Sequence, residues 1–136
     1  MSTGYSQKSL AEKLGLRKGQ AVAFINVPQN YGKLLGKVLD GVNSSSGART
    51  ELDFIHIFAS DEKELKRNLS RLKSKMKPNG MIWVSWPKGS SELHSELNEE
   101  GVRRAGLEIG LVDVKISAID KDWSGLKFVK RLKDRN

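Results

Sequence analysis

The sequence has no cysteine among its 136 residues. That removes disulfide bonds, thiol nucleophiles and cysteine-ligated zinc together, and it fits a reducing compartment such as the cytoplasm. Histidine is nearly as scarce. His56 and His94 stand far apart with no ligand spacing around them, so a metal would have to rest mainly on carboxylates, and no metal site is expected. No run of about 18 apolar residues occurs, which excludes a transmembrane helix and a membrane partner of that kind. The opening residues MSTGYSQKSL lack the apolar centre of a secretory leader, so the expected localisation is cytoplasmic. There is no internal repeat, no low-complexity segment and no linker long enough to separate domains. Residues 1–136 therefore read as one domain of ordinary size.

What is present is charge. There are 24 Lys and Arg against 16 Asp and Glu, a net of +8, with 38% apolar residues. This is a globular balance, and the basic excess makes nucleic acid the first partner to weigh. The excess is local. Residues 61–77 hold seven Lys and Arg against three acids, and residues 127–135 hold five against one. A nucleic-acid partner would need these two segments to share a face, and otherwise they are solvated surface.

Along the chain, residues 1–8 form a loose start. Ser9-Leu10-Ala11-Glu12 has the form of a capping box, and Gly15 stops the short helix that it opens. AVAFINVP is an apolar run ended by Pro28 and reads as a buried strand. Tyr31, Leu34, Leu35, Val38 and Leu39 fall at helical spacing. Residues 40–51 are a turn-rich loop with at most one short edge strand, and LDFIHIFA is a second buried strand. Asp61, Glu62 and Glu64 open a helix whose stripe is Leu65, Leu69, Leu72 and Met76, with Pro78-Asn79-Gly80 as its stop. MIWVSW is a third buried strand, closed by Pro87. After a polar connection, Asn98 caps a helix to about residue 108 that buries Val102, Ala105 and Ile109. VDVKISAID then alternates, with Val112, Val114, Ile116 and Ala118 on one face. A turn at KDWSG leads to a final strand, LKFVKRL, antiparallel to its predecessor. The alternation predicts an α/β, three-layer, mostly parallel sheet of five or six strands with an antiparallel C-terminal hairpin strand.

That order resembles a shortened S-adenosylmethionine-methyltransferase-like Rossmann fold. Lys77-Pro78-Asn79-Gly80 before MIWVSW resembles the turn into that superfamily's fifth strand, residues 98–120 its last helix and sixth strand, and KDWSGLKFVKRL its seventh. Too few residues separate the first strand from LDFIHIFA for two full strand–helix units, so one or both of the second and third strands are missing. The whole chain also resembles a family of small bacterial proteins of unknown function, through GYSQKSLAEKLGLRKG, VSWPK and LVDVKISAIDKDWSGLKFV. That resemblance implies a fold and a bacterial origin, and no chemistry.

The loop after the first strand decides against the usual cofactor pose. Rossmann-type loops need glycines so that backbone N–H groups can approach the ligand. Here the loop reads Asn26-Val27-Pro28-Gln29-Asn30-Tyr31-Gly32, with one glycine and a proline that removes a donor. An acid to hold ribose hydroxyls has no clear strand, with Glu51 and Asp53 poorly placed. No cofactor is expected, with S-adenosylmethionine kept as the alternative. Ligands of open α/β sheets bind beyond the carboxyl ends of the strands. Those ends carry Asn26, Gln29, Asn30 and Tyr31, then Ser60 and Asp61, then Trp86 and Lys88, and the hairpin turn adds Asp120, Asp122, Trp123 and Ser124. Trp86 and Lys88 would stack a ring and hold an anion, against the plainer reading in which Trp86 and Trp123 pack on the sheet end. Asp61 reads as a helix cap, and His56 as a buried neutral histidine. Ser85, Ser90 and Ser91 lack a nearby histidine in sequence, and no nucleophile elbow is present.

SLAEKLGL resembles the first helix of a helix-turn-helix, and LGLRKGQAVAFI the swapped-hairpin module of antitoxins. The strand over 20–27 and the unsuited N-terminal residues argue against both. The sequence therefore favours a non-enzymatic protein that binds a small molecule or a protein partner. A divergent methyltransferase is the first alternative. The second is a nucleic-acid-associated protein using the basic helix 61–77 and the C-terminal tail, with Trp83, Trp86 and Trp123 available to stack bases.

Overall fold

In a computed structural model, residues 8–45 and 51–135 are described. The loose start expected over residues 1–8 lies outside them except for Lys8, and so do the loop residues 46–50. The elements in chain order are α1 (Leu10–Leu14), β1 (Ala21–Ile25), α2 (Tyr31–Leu35), β2 (Asn43–Ser45), β3 (Leu52–Phe58), α3 (Glu62–Lys73), β4 (Met76–Pro87), α4 (Glu99–Glu108), β5 (Leu111–Ala118) and β6 (Trp123–Lys130). One sheet of six strands runs β2-β1-β3-β4-β6-β5. β2, β1, β3 and β4 are parallel. β6 is inserted antiparallel between β4 and β5, as the resemblance implied. β2 is the short strand expected within residues 40–51, and it takes the outer place beside β1. Among the described residues, no helix is long and apolar enough to cross a membrane.

The strand sequences divide the core by their period of two. Ile55 and Ile57 of β3, with Ile82, Val84 and Trp86 of β4, join Leu65, Leu69 and Leu72 of α3 and Val102 and Ala105 of α4 in one cluster. Phe54 and Phe58 of β3 and Trp83 of β4 join Leu14, Tyr31 and Leu35 in the other. Alternation sends successive side chains to opposite faces. Both faces of β3 and β4 are therefore apolar, as central strands require. The indole Nε1 of the fully buried Trp83 donates to the Leu14 carbonyl at 2.7 Å, which pins α1 to its face of the sheet.

Four expectations are corrected. The helix from Tyr31 stops at Leu35, because Gly36 adopts φ +77, and a 3-10 turn over Gly36–Gly41 replaces its second half. Met76 is buried as expected but begins β4 opposite Leu52 and does not close the stripe of α3. Pro78-Asn79-Gly80 lies inside β4 at an irregularity in its pairing, where a Cβ on Gly80 would come within 2.6 Å of the Leu52 carbonyl oxygen. Only glycine permits that approach. Last, the apolar face expected of β5 is not buried. Val114 and Ile116 are about half exposed, because β5 is an edge strand and a bulge between Asp113 and Lys115 breaks its alternation.

The α4 helix rests on β6 through a glycine. A Cβ at Gly106 would lie 2.2 Å from the ring of Phe128, which is fully buried. Alanine usually stabilises a helix interior by about 1 kcal/mol over glycine. Here the clash outweighs that gain. Gly106→Ala is expected to destabilise the domain by about 1–3 kcal/mol, read as a lower midpoint of urea unfolding.

Candidate functional site

The carboxyl ends of β1 and β3 meet the β5–β6 turn. Asn26 follows β1 in the left-handed region, at φ +58. This conformation suits asparagine better than most residues, and it turns the chain sharply off the strand. Asp120 builds the hairpin turn, its Oδ1 accepting from the backbone N–H groups of Asp122 and Trp123 at 2.8 and 2.9 Å. The Asn30 amide donates to Asp120 Oδ2 at 3.4 Å, linking the loop after β1 to that turn. Asn26, Phe58, Ala59, Ser60, Glu64 and Trp123 line a cleft of about 220 Å³. Ser60 also borders a second cleft of about 580 Å³, lined by Asp61, Glu62, Ser95, Glu96 and Leu97.

The electrostatics of these clefts are one-sided. Their charged lining residues are Asp61, Glu62, Glu64 and Glu96, with no lysine or arginine. Asp61 caps α3, its Oδ1 accepting from Lys63 N–H at 3.0 Å, as expected. Glu62 pairs with Lys66 and Arg104. Glu64 and Glu96 make no ion pair among the described residues. In a protein of net charge +8, the lining of these two clefts is acidic. An acidic mouth favours neutral or cationic guests over anions.

The expected site residues separate into three groups. Asn26 and Trp123 share the smaller cleft, and Asn30 is tied to the same turn. Gln29 is exposed, and Lys88 is held beside the turn by its backbone N–H, which donates to the Asp122 carbonyl at 2.8 Å. Trp86, Tyr31 and Ser124 do not face the cleft. Trp86 is 6% exposed and packed in the core beneath α3 and α4. Its ring therefore cannot serve as a plate beside Lys88, and the anion-holding pair is corrected. Ser124 lies opposite Trp86 across the strands and shares its face, away from Trp123. Asp53 sits at the other end of β3, where it accepts from Ala21 N–H and pairs with Lys77, so it cannot hold a ribose here. The sequence did not single out Glu64, Ser95 or Glu96. Glu64 had a signal, a carboxylate in the first turn of a helix leaving a strand's carboxyl end. Ser95 and Glu96 sit in an irregular connection that carries none.

Beneath the loop lies a buried polar chain. His56 Nδ1 is 2.9 Å from the Tyr31 hydroxyl, and His56 Nε2 is 2.7 Å from Ser85 Oγ. His56 and Ser85 are fully buried and Tyr31 nearly so. Ser85 thus has the histidine partner that local sequence did not show, supplied across β3 and β4. The imidazole stacks on Phe58 with centroids 4.3 Å apart, and Phe58 meets the edge of Trp123 at 4.9 Å. A neutral ring satisfies both neighbours, donating from one nitrogen and accepting at the other. Burial pushes His56 down to about 3 from 6.5 and raises Tyr31 above the ordinary phenol range. With both hydroxyls and the ring enclosed, the chain is placed to hold structure, not to attack a substrate. His56 is the buried neutral histidine that the sequence suggested.

The chain matches no family model, and no curated protein sequence is similar to it. Solved structures are similar. An S-adenosylmethionine-dependent methyltransferase from Aquifex aeolicus superposes with a TM-score of 0.65 at 15% identity, over 88% of this chain and 86% of that one. A TehB-like S-adenosylmethionine-dependent methyltransferase from Corynebacterium glutamicum gives 0.60 at 11% identity, over 90% and 85%. Magnesium protoporphyrin IX methyltransferase from Synechocystis, solved with bound S-adenosylmethionine, gives 0.55 at 11% identity, over 90% and 74%. At such identities the likeness shows the fold, which is methyltransferase-like and Rossmann-like.

The depressed pKa of His56 fixes a pH dependence. Folded His56 stays neutral down to about pH 3, whereas the unfolded chain takes up the proton near 6.5. Its contribution is therefore complete above pH 6.5 and is lost as pH falls toward 3, with a slope of about 1.4 kcal/mol per pH unit. Between pH 6.5 and about 5, above the main titration of carboxylates, the slope is expected in the parent protein and absent in His56→Gln. Urea unfolding across that range measures both.

Proposed function

We propose that this protein binds a small neutral or cationic molecule at the carboxyl edge of its methyltransferase-like sheet, without acting as an enzyme. One observation carries the reading: a cleft floored by Phe58 and Trp123 is rimmed by Asn26, Ser60 and Glu64, and no cation lines it. An aromatic surface with a few convergent polar groups is the usual composition of a small-molecule site. Glu64, which makes no ion pair among the described residues, supplies an attractive charge for an amine. The loop after β1 supports the non-enzymatic part. It has one glycine, a proline at 28 and a buried Tyr31 under its end, where a glycine-rich loop would present several N–H groups to a cofactor.

A second reading is a divergent methyltransferase. The acidic cleft suits the positive sulfonium of S-adenosylmethionine, and the fold's solved neighbours include an enzyme with that cofactor bound. Here Asn26, Ser60 and Glu64 would be the cofactor's neighbours. Among these residues the Glu64 carboxylate is the one group that could accept a proton during transfer.

Calorimetry with S-adenosylmethionine and S-adenosylhomocysteine separates the two readings. The proposal expects no heat from either at millimolar concentration, together with thermal stabilisation by some member of a panel of amines and nucleosides. That stabilisation is expected to vanish in Trp123→Ala and to fall about tenfold in affinity in Glu64→Gln. Saturable heat from S-adenosylmethionine that Glu64→Gln abolishes would overturn the proposal, and methyl transfer from it to an acceptor would establish the second reading instead. Stabilisation unchanged in both variants would remove this cleft as the site.

A further inference from the structure

The end of the sheet opposite the cleft gathers the positive charge. β4 begins at Met76 and β6, antiparallel to it, ends at Lys130. The C-terminal end of α3 and the segment after β6 therefore meet at this amino-terminal edge of β4. Lys130 Nζ donates to the Met76 carbonyl at 3.1 Å. Lys73 Nζ, from the last residue of α3, donates to the Ile109 carbonyl. Between them lies Gly110, with φ +88. A Cβ there would lie 3.1 Å from Lys73 Nζ and 3.4 Å from the guanidinium of Arg131. An ammonium and a guanidinium from two distant segments thus face each other over a residue with no side chain.

Neither cation has a carboxylate partner among the described residues, and neither do Lys130, Lys133 or Arg135. The carbonyls that hold Lys73 and Lys130 orient them without cancelling charge, and Arg135 Nε is held likewise by the Lys130 carbonyl at 2.9 Å. The acids at this end are mostly occupied. Asp53 pairs with Lys77, and Glu108 with Lys66. Asp134 lies within the tail, and Glu51 is exposed before β3. Elsewhere the basic segments contribute less. Lys66 is spent on Glu62 and Glu108, and Lys127 lies on the face of the sheet shared with Trp83. The two basic segments therefore share a surface, but only through their C-terminal ends.

We propose that this edge docks the phosphate backbone of a nucleic acid, with Lys73 and Arg131 forming one phosphate seat over Gly110. Like charges a few ångströms apart repel. A phosphate between them relieves that repulsion and accepts charge-assisted hydrogen bonds from both. The further cations along 130–135 call for a chain of anions, not a single ion. Leu132 is the one strongly exposed apolar side chain in the tail, too little to insert into a lipid surface. This surface is separate from the small-molecule cleft and does not depend on it.

The test is fluorescence anisotropy with a short generic single-stranded RNA and a short DNA duplex, titrated with the whole protein over a range of salt. Affinity is expected to be highest in low salt and to fall as salt rises. Lys73→Glu and Arg131→Glu are each expected to weaken low-salt binding by about tenfold and to reduce the salt slope by about one. Arg131 makes no side-chain hydrogen bond among the described residues, so Arg131→Glu remains informative if Lys73→Glu loosens the fold, which thermal unfolding would reveal. Lys33→Glu makes the same change in net charge on the exposed surface of α2 and is expected to bind like the parent. Equal weakening by Lys33→Glu would overturn the local seat. No binding of either nucleic acid in low salt would overturn the proposal. So would binding to phosphatidylglycerol vesicles alone, lost in the same two variants.

Discussion

The hydrogen-bonded chain Tyr31–His56–Ser85 is the constraint on which the cleft side of the molecule depends. Three polar groups are enclosed between apolar layers, and each is satisfied only by the next. A buried donor or acceptor without a partner costs about 1–3 kcal/mol, so the three positions stand or fall together. The chain joins the first residue of α2 to β3 and β4. It thereby fixes where the loop after β1 must end, and through the stack of His56 on Phe58 and the contact of Phe58 with Trp123 it supports the floor of the cleft. The loop is shaped from below by this packing more than by its own residues, which explains how it holds a defined course with one glycine.

Charge is sorted along the strand direction. Helix N-termini lie at the carboxyl edge of a parallel sheet, and acids there complement the helix dipole. Asp61, Glu62 and Glu64 open α3, and Glu99 and Glu100 open α4. The basic C-terminal end of α3 lies at the opposite edge for the same reason. The final strand reinforces the pattern, because its antiparallel course carries its basic end to that edge. Net composition hides this arrangement, since +8 is the small remainder of two unlike surfaces.

Much of the fold was legible because it rests on short-range signals. The capping box at Ser9, the Asp61 cap, the alternation in LDFIHIF and MIWVSW and the hairpin at KDWSG are each written in consecutive residues. The edge position of β5 was not legible, because Val112, Val114 and Ile116 read the same whether or not a helix covers them. Trp86 failed for a related reason. Its place near a strand end is visible in sequence, but which face it takes, and that Leu97 and α4 lie against that face, is tertiary. The partnership of His56 with Ser85, 29 positions away, depends on the β3–β4 register, which sets His56 opposite Trp83 and so two residues from Ser85 on the same face. No local pattern carries that register. His56 could be read as buried and neutral from its apolar neighbours, while the reason it tolerates burial could not.

The bulge at Asp113–Lys115 bears on how the protein behaves in crowded solution. An edge strand with exposed Val114 and Ile116 would ordinarily invite another sheet to pair with it. Here the bulge interrupts the row of backbone donors and acceptors, and Asp113 is tied back to Arg103 at 2.8 Å. Lys115 is committed to the Lys13 carbonyl on the near face. A second strand would therefore meet a broken ladder and a bound lysine at the middle of its run. At the far side, β2 offers three paired residues, too short a template for a stable addition. The two margins together leave the open six-stranded sheet little regular edge on which a further strand could pair.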